Sequence, residues 1–433
     1  MRKITGQVII SDSFHKKIET KVKNIFELKE RVNKISSEKT SEILETILAG
    51  SINLRASDIH IEPQKKQTKI RLRVDGVLED AVFIDLKIYK SILSRIKLLS
   101  KVKLNITSRP QDGRFSIIIT NRAIEVRTSV IPTERGESVV MRLLDPKKII
   151  EIEGLGLRKD LLGVFKNEIK RPNGMIIVTG PTGSGKTTTL YAFLKRIQNP
   201  KIKVITVEDP IEYHIKGITQ TQIAPDENYN FANGLRSIVR QDPDVILVGE
   251  IRDLETVKIA IQAALTGHLV LTTVHTNDAA GTIARLISLG ANPANIGPAI
   301  NMAIAQRLVR KICKKCGQLE KPSSEDLKKI KKGLRGLPKN IEIPKISPKL
   351  KIFKPKGCKN CNFTGYHGRI GIFESFLIDN EMERFIIKSP SIASIRKEAA
   401  KRKMTNMRQD GLIKVLQGLT TIEEVERITG PIK

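Results

Sequence analysis

The sequence contains no tryptophan and only five tyrosines and twelve phenylalanines. It offers no stretch of basic residues interleaved with aromatics, the platform on which single-stranded nucleic acid stacks. Acidic residues are also short: 46 Asp and Glu stand against 76 Lys and Arg, a net charge of +30. Such a balance suits nucleic acid, an anionic membrane surface or an acidic partner. The lysines, however, are scattered through most of the chain, as on ordinary solvated faces. No stretch approaches 18 apolar residues, so no transmembrane helix is expected and any membrane role is peripheral. The start, MRKITGQVIISDS, lacks the long apolar core and small-residue cleavage site of a signal peptide, which points to the cytoplasm. Cysteine is scarce: Cys313/Cys316 and Cys358/Cys361 are the only four, in two pairs. With no export signal, that spacing reads as metal ligation rather than disulfides.

What is present is dominated by Gly180 to Thr187, GPTGSGKT, which fits G-x-x-x-x-G-K-[ST] at every fixed position. The apolar run MIIVT precedes it and TTTLYAFLKR, with helical spacing, follows it. Gly180, Gly183 and Gly185 let the backbone turn its N–H groups toward phosphate oxygens, aided by the helix dipole. Pro181, Thr182, Ser184 and Thr188 complete the loop and first turn. Lys186 places a cation on the β- and γ-phosphates, and the Thr187 hydroxyl is the expected Mg²⁺ ligand.

Organisation follows from periodicity. Residues 1–40 are polar, lysine-rich and weakly periodic, and are expected to be a loosely structured basic arm. A helix from Ser41, with Gly50 as its stop, strands near 58–62, 69–74, 114–119, 123–130 and 137–144, and a helix near 88–99 suggest an α+β domain over 41–150. Strand–helix alternation over 151–310, with strands at 175–179, 204–207, 245–248 and 269–274, implies a parallel sheet wrapped by helices. A cysteine-bounded segment, 311–376, and a helical segment, 377–433, with breaks at Gly411 and Gly418, complete the chain.

Hydrolysis of a nucleoside triphosphate needs acids beside the cradle. DVILVGE, residues 244–250, is a buried-strand pattern ending in Glu250, the candidate to polarise water. Gly249 stands where many such enzymes carry Asp, so Mg²⁺ falls to Thr187 and waters. Glu208, Asp209 and Glu212 follow another apolar strand and are expected at the same sheet edge. His268 and His275 bracket a further strand, and His275 would again lie at that edge, as a γ-phosphate sensor or a structural histidine.

The set GPTGSGKT, VEDPIE, RQDPDVILVGEIRD and TGHLVLTTVHTND resembles the secretion ATPase superfamily. The cysteine pairs narrow the resemblance to the type II secretion and type IV pilus assembly ATPases. RASDIHIEP, RPQDGRF and the stretch from VRTSVIPTERGE to VVMRLLD extend it to residues 41–433. It implies an α/β fold: a RecA-like P-loop ATPase domain, a smaller N-terminal α+β domain and a zinc-binding insertion. It implies a cytoplasmic homo-hexamer, peripheral to the inner membrane, that hydrolyses ATP with Mg²⁺ and works with an inner-membrane platform protein. On this likeness Arg127 and Arg142 approach the γ-phosphate; without it they read as solvent-facing arginines on alternating strands. Glu208, Asp209 and Glu212 form its acidic box, Glu250 is its catalytic glutamate, and His268 and His275 belong to its histidine box. Cys313, Cys316, Cys358 and Cys361 would hold one structural Zn²⁺ as four thiolates. Two departures stand out: about 40 residues precede the first domain, too few for the usual docking module, and Ser138 replaces the usual basic residue after GE. The alternative is a DNA-uptake or nucleic-acid-translocating RecA-like motor.

Overall fold

The computed structural model describes residues 6–119, 122–146, 150–347, 349–402 and 404–432. They form two compact units, and the chain does not divide between them at a single point. One unit contains 6–146 together with Cys313–Gly317 and Pro355–Gly368; the other contains 150–312, Gln318–Lys354 and the remainder from Arg369. The boundary expected near 150 falls beside residues 147–149, which lie outside the described residues.

The first unit is built on β1 (Gln7–Ile10), β2 (Asp58–Pro63), β3 (Thr68–Val74), β4 (Val77–Ile84), β5 (Gln111–Ile119), β6 (Arg122–Thr133) and β7 (Gly136–Leu144). Their order is β1-β5-β6-β7-β2-β3-β4, with β1 parallel to β5 and the other pairs antiparallel. Period-two alternation sends Phe115, Ile117, Val126, Met141, Ile59, Ile61, Ile70 and Leu72 to one buried face. Helices Thr40–Asn53 and Leu86–Leu99 contribute Ile43, Leu44, Ile47, Ile92 and Ile96 to the same core.

The expectation of a loosely structured arm over residues 1–40 does not hold for the described residues 6–40. Gln7–Ile10 pairs with β5, and helices Asp12–Lys21 and Ile25–Asn33 follow, capped by the side chains of Ser11 and Asn24. Ile18, Val22, Leu28 and Val32 are buried. Each helix is short and buries one to three side chains, too few for a clear 3.6-residue signal among so many lysines. Gly50 does not stop its helix either. It lets Leu28 approach so closely that an added Cβ would lie 2.5 Å from a Leu28 methyl.

The second unit carries β8 (Gly174–Thr179), β9 (Val204–Glu208), β10 (Thr219–Gln222), β11 (Val245–Val248), β12 (Leu269–Val274), β13 (Ile300–Ile312), β14 (Gln318–Glu320), β15 (Ile352–Lys354) and β16, which starts at Tyr366 and runs to Leu377. The main sheet is ordered β10-β9-β11-β12-β8-β13-β16, while β14 and β15 pair separately. The strands from β10 through β13 are mutually parallel where they meet. Both faces are covered, which is why β8 and β11 read as apolar runs and β12, LVLTTV, buries even its two threonines. Met175, Ile177, Val248 and Val270 pack with helices Phe231–Val239, Leu254–Leu265 and Ala279–Ser288. Ile176, Val178, Leu247 and Leu271 pack with helices Lys159–Glu168 and Lys186–Ile197.

Two long strands, β13 and β16, have no counterpart in the sequence reading, which places helices beyond Glu374 and nothing regular at 300–312. Gly411, expected to break a helix, lies inside Met407–Leu416, with Val425 of the neighbouring helix packed where a side chain would be. Gly418 does lie just past that helix's end, at φ 73°. Among the described residues, no helix is long and apolar enough to cross a membrane.

Candidate functional site

Parallel strands deliver their C-terminal ends to one edge of a sheet, and four of them end here together. Thr179 is opposite Val274, and Val248 is opposite both Val207 and Thr272. The phosphate loop after β8, Glu208 and Asp209 after β9, Glu250 after β11 and His275 after β12 therefore share an edge. This is the crevice in which ligands of open α/β sheets bind.

The loop has the backbone its glycines permit. Gly180, Gly183 and Gly185 sit at φ 153°, 80° and 89°, and Gly185 caps helix Lys186–Ile197. A side chain at Gly180 would come within 2.5 Å of the Ser184 hydroxyl. Ser184 is buried and its Oγ has no partner among the described residues. Lys186 Nζ donates to the Gly180 carbonyl at 2.8 Å and to Pro181 O at 3.4 Å. Burial pushes the Lys186 pKa below the usual lysine range; the Glu250 carboxylate pulls against that shift, and Arg307 adds to it. Thr187 and Thr188 are half-buried on the first helical turn.

The acids separate by environment. Glu250 is 13% exposed and pairs with Arg252 and, at 3.3 Å, with His275 Nε2. Gly249 N donates to Val207 O at 2.8 Å and Thr273 Oγ1 donates to Gly249 O at 2.8 Å, which fixes the backbone under this carboxylate. Its hydrogen bond to Glu250 raises the Arg252 pKa. Glu208, expected with the other acids at the sheet edge, is there but buried at 3% exposure. Its carboxylate accepts from Tyr191 Oη, from Thr206 Oγ1 at 2.6 Å and from Gln220 Nε2 at 3.1 Å. Asp209 is exposed, precedes a cis proline, Pro210, and contributes its field to Arg252. Glu212 is half-buried, and its field reaches Lys186.

The histidines separate as well. His275 is at the loaded edge, 52% exposed. His268 precedes β12, at the opposite end of that strand, where its Nδ1 lies 3.0 Å from Ala263 O at the end of helix Leu254–Leu265. Sequence reading missed Arg252, Tyr191 and Gln306. Arg252 was within reach as the third residue of EIRD; Tyr191 and Gln306 carry no local signal, because their partners are distant in the chain.

In the first unit, Arg127 and Arg142 are directly opposite one another on β6 and β7. Arg114 is opposite Arg127, and Asp58 is opposite both Arg142 and Arg73. Like charges opposed across strands repel. Asp58, 7% exposed, relieves that repulsion by accepting from Arg142 Nε at 3.0 Å, and it pairs with Arg73 at 3.3 Å. Arg127 lies 3.8 Å from Glu125.

The four cysteines also meet in the first unit. Their sulfurs all lie within 4.8 Å of one another, with Cys313–Cys358 at 3.9 Å and Cys316–Cys361 and Cys358–Cys361 at 3.7 Å. Disulfides need about 2.05 Å. Four thiolates about 2.3 Å from one tetrahedral ion stand about 3.8 Å apart, so the donor set fits a closed metal site. Asn362 Oδ1 accepts from Ile25 N at 2.7 Å and Gly368 N donates to Asp75 Oδ2 at 2.6 Å, tying this cysteine lobe to the rest of its unit.

A family model described as type II/IV secretion system protein matches residues 33–427. Type II secretion system protein E of Xanthomonas campestris pv. campestris is 44% identical over 388 residues, 89% of this chain and 67% of that protein. Type II secretion system ATPase E of Vibrio cholerae is 42% identical over 407 residues, 93% of this chain and 78% of that one. Type IV pilus assembly ATPase PilB of Myxococcus xanthus is 41% identical over 392 residues, 90% and 68%. Among solved structures, the pilus retraction motor PilT with bound ADP gives a TM-score of 0.59 at 27% identity, covering 88% of this chain and 95% of that one. The Legionella pneumophila ATPase DotB gives 0.64 at 21% identity, covering 90% and 95%, a likeness of fold.

Proposed function

Because the chain belongs to the type II/IV secretion system protein family and is an ATP-hydrolysing motor, we propose that it acts as a homo-hexamer on the cytoplasmic side of an inner membrane. There it drives assembly of a type II secretion pseudopilus or a type IV pilus through a membrane platform protein. The observation that carries the chemical part is the meeting of Lys186, Glu250 and His275 at one sheet edge.

On this reading the loop from Gly180 to Thr188 cradles the ATP phosphates with backbone N–H groups. Lys186 leaves its carbonyl partners for the β- and γ-phosphates. The Thr187 hydroxyl would hold Mg²⁺, which would supply charge neutralisation. Glu250 orients a water and takes its proton as the water oxygen bonds to the γ-phosphorus. The bond to the β-phosphate oxygen breaks, leaving ADP and inorganic phosphate. Arg252 and His275 hold the Glu250 carboxylate in place. Asp209 adds negative charge beside Arg252. Glu208 acts as a positioning residue, bracing β9 against Tyr191 of the helix that follows the loop. Arg127 and Arg142 supply positive charge to the transition state, a contribution worth about 10³–10⁵ in rate in other NTPases. The four cysteines hold one structural Zn²⁺.

The test is turnover of zinc-replete protein with Glu250→Gln alongside, and size exclusion with and without nucleotide. Turnover that requires Glu250 and rises as hexamer forms is expected. Full turnover in a monomer overturns the ring, and a hexamer that binds ATP yet stays inert with the platform protein added overturns the motor.

A further inference from the structure

A second cation stands at the nucleotide cradle. Ala305 of β13 is opposite Thr179 of β8, so Gln306 and Arg307 come next, alongside the start of the phosphate loop. Gln306 is 2% exposed; its Oε1 accepts from Thr189 Oγ1 at 2.6 Å and its Nε2 donates to Gly185 O at 3.4 Å. The underside of the loop therefore rests on β13. An added Cβ at Gly180 would lie 2.7 Å from Gln306 O and 3.0 Å from Arg307 Nη1.

The Arg307 guanidinium spans the end of β8. Nη1 donates to Gln306 O at 3.0 Å, and Nη2 donates to Asn277 O, past the end of β12, at 2.8 Å. Two acids, Glu374 and Asp278, act on it from a distance, and both are engaged elsewhere. Asp278 pairs with Arg396, and Glu374 accepts from the N–H groups of Ala279 and Met407. Half-burial lowers the Arg307 pKa, as burial lowers that of Lys186. Lys186 is in the same state, resting on two backbone carbonyls. Two half-buried cations thus flank one loop, each satisfied by carbonyl dipoles alone among the contacts described. An anionic oxygen offers such a cation a full opposite charge where a carbonyl offers only a dipole, and the paired charges make the stronger bond.

We propose that Arg307 is a second phosphate-facing cation of the cradle, meeting the terminal phosphates of a nucleoside triphosphate from the Gly180 side while Lys186 meets them from the helix side. The proposal rests on the reading that this loop binds ATP. A strap between two carbonyls needs donors but no charge, and an amide would serve it without the desolvation that a guanidinium suffers.

The test is competition of ATP, ADP and AMP against a fluorescent nucleotide on the full chain and on Arg307→Gln, with Arg307→Lys as the charge-keeping variant. ATP affinity should fall about tenfold or more in Arg307→Gln, AMP affinity should change little, and Arg307→Lys should recover part of the loss. In the unaltered protein, ATP but not adenosine should slow phenylglyoxal modification at Arg307, mapped by peptide mass; this readout does not depend on a variant folding. Unchanged ATP affinity, an equal loss for ATP and AMP, or no protection of Arg307 overturns the proposal. Failure of the unaltered protein to bind ATP would instead overturn the reading beneath it.

Discussion

Glu208 and Glu250 leave adjacent strands at the same edge, and only their surroundings divide them. Three protein donors engage the buried Glu208, whereas the partners of Glu250 are the half-exposed His275 and the exposed Arg252. Glu250→Gln is expected to lower kcat about 10²-fold or more while ATP binding persists, since a proton acceptor is lost and the shape is kept. Equal kcat in steady-state assays would remove Glu250 from the reaction. Glu208→Gln should act mainly on folding, costing about 1–3 kcal/mol because one buried donor loses its acceptor. Urea unfolding reads this directly, and a stability loss below 0.5 kcal/mol, on the order of an ordinary surface change, would contradict it. The sequence announces that both acids end apolar strands. It does not announce which lone pairs are taken, because Tyr191 is separated from Glu208 by the rest of its helix, a turn and β9, while Gln220 follows it on another strand.

At the level of elements, legibility depended on how each strand is covered. The strands β8, β11 and β12 are short apolar runs between turn residues, so they could be read directly. Strand β13 begins INMAIAQ, where small and polar residues are buried among larger ones, and β16 is interrupted by Gly368 and Gly371; neither keeps a simple period. Yet β13 carries Gln306 and Arg307 to the cradle, and its far end anchors the last helix, Ile422–Thr429. There Glu424 accepts from Arg310 N and Nη2 at 2.9 and 2.7 Å and from Arg427 Nε and Nη2 at 2.9 and 2.7 Å. Burial works to raise the Glu424 pKa, but the arginines overcome it and hold the carboxyl at about 2, against 4.5 unfolded. A depressed carboxylate contributes stability that is fully present above its unfolded pKa and is lost as pH falls through its folded one. Glu424 should therefore contribute about 3 kcal/mol at neutral pH, fading between about pH 4.5 and 2. The stability gap between the unaltered protein and Glu424→Gln, measured by urea unfolding, should narrow across that window; a gap independent of pH would refute the assignment.

Over the whole molecule, the cysteine pairs could be read from spacing, but not the unit they join. They group with the first unit, although more than 160 residues separate Cys313 from residue 146. If one zinc ion closes the lobe, a strong chelator should release about one equivalent per chain. It should also raise amide hydrogen exchange at Pro355–Gly368 before exchange around Gly180 changes, because structural zinc sites supply the folding energy of such small lobes. Uniform acceleration in both units, or none, would count against a local structural role.

The five passages of the backbone between the two units also bear on how the protein is made. Synthesis is vectorial, so the sheet of residues 6–146 emerges with its last pieces still unmade. Cys313–Gly317 arrives only after the phosphate loop and the strands around it, and Pro355–Gly368 arrives later still. Domains generally fold in order as they leave the ribosome, and this unit's buried core lies within residues 8–143, so its sheet can form while its cysteine lobe is still to come. A nascent chain stalled soon after the second unit's first strands should accordingly hold residues 6–146 already protease-resistant, with protection of the cysteine lobe added only once Gly368 has cleared the exit tunnel.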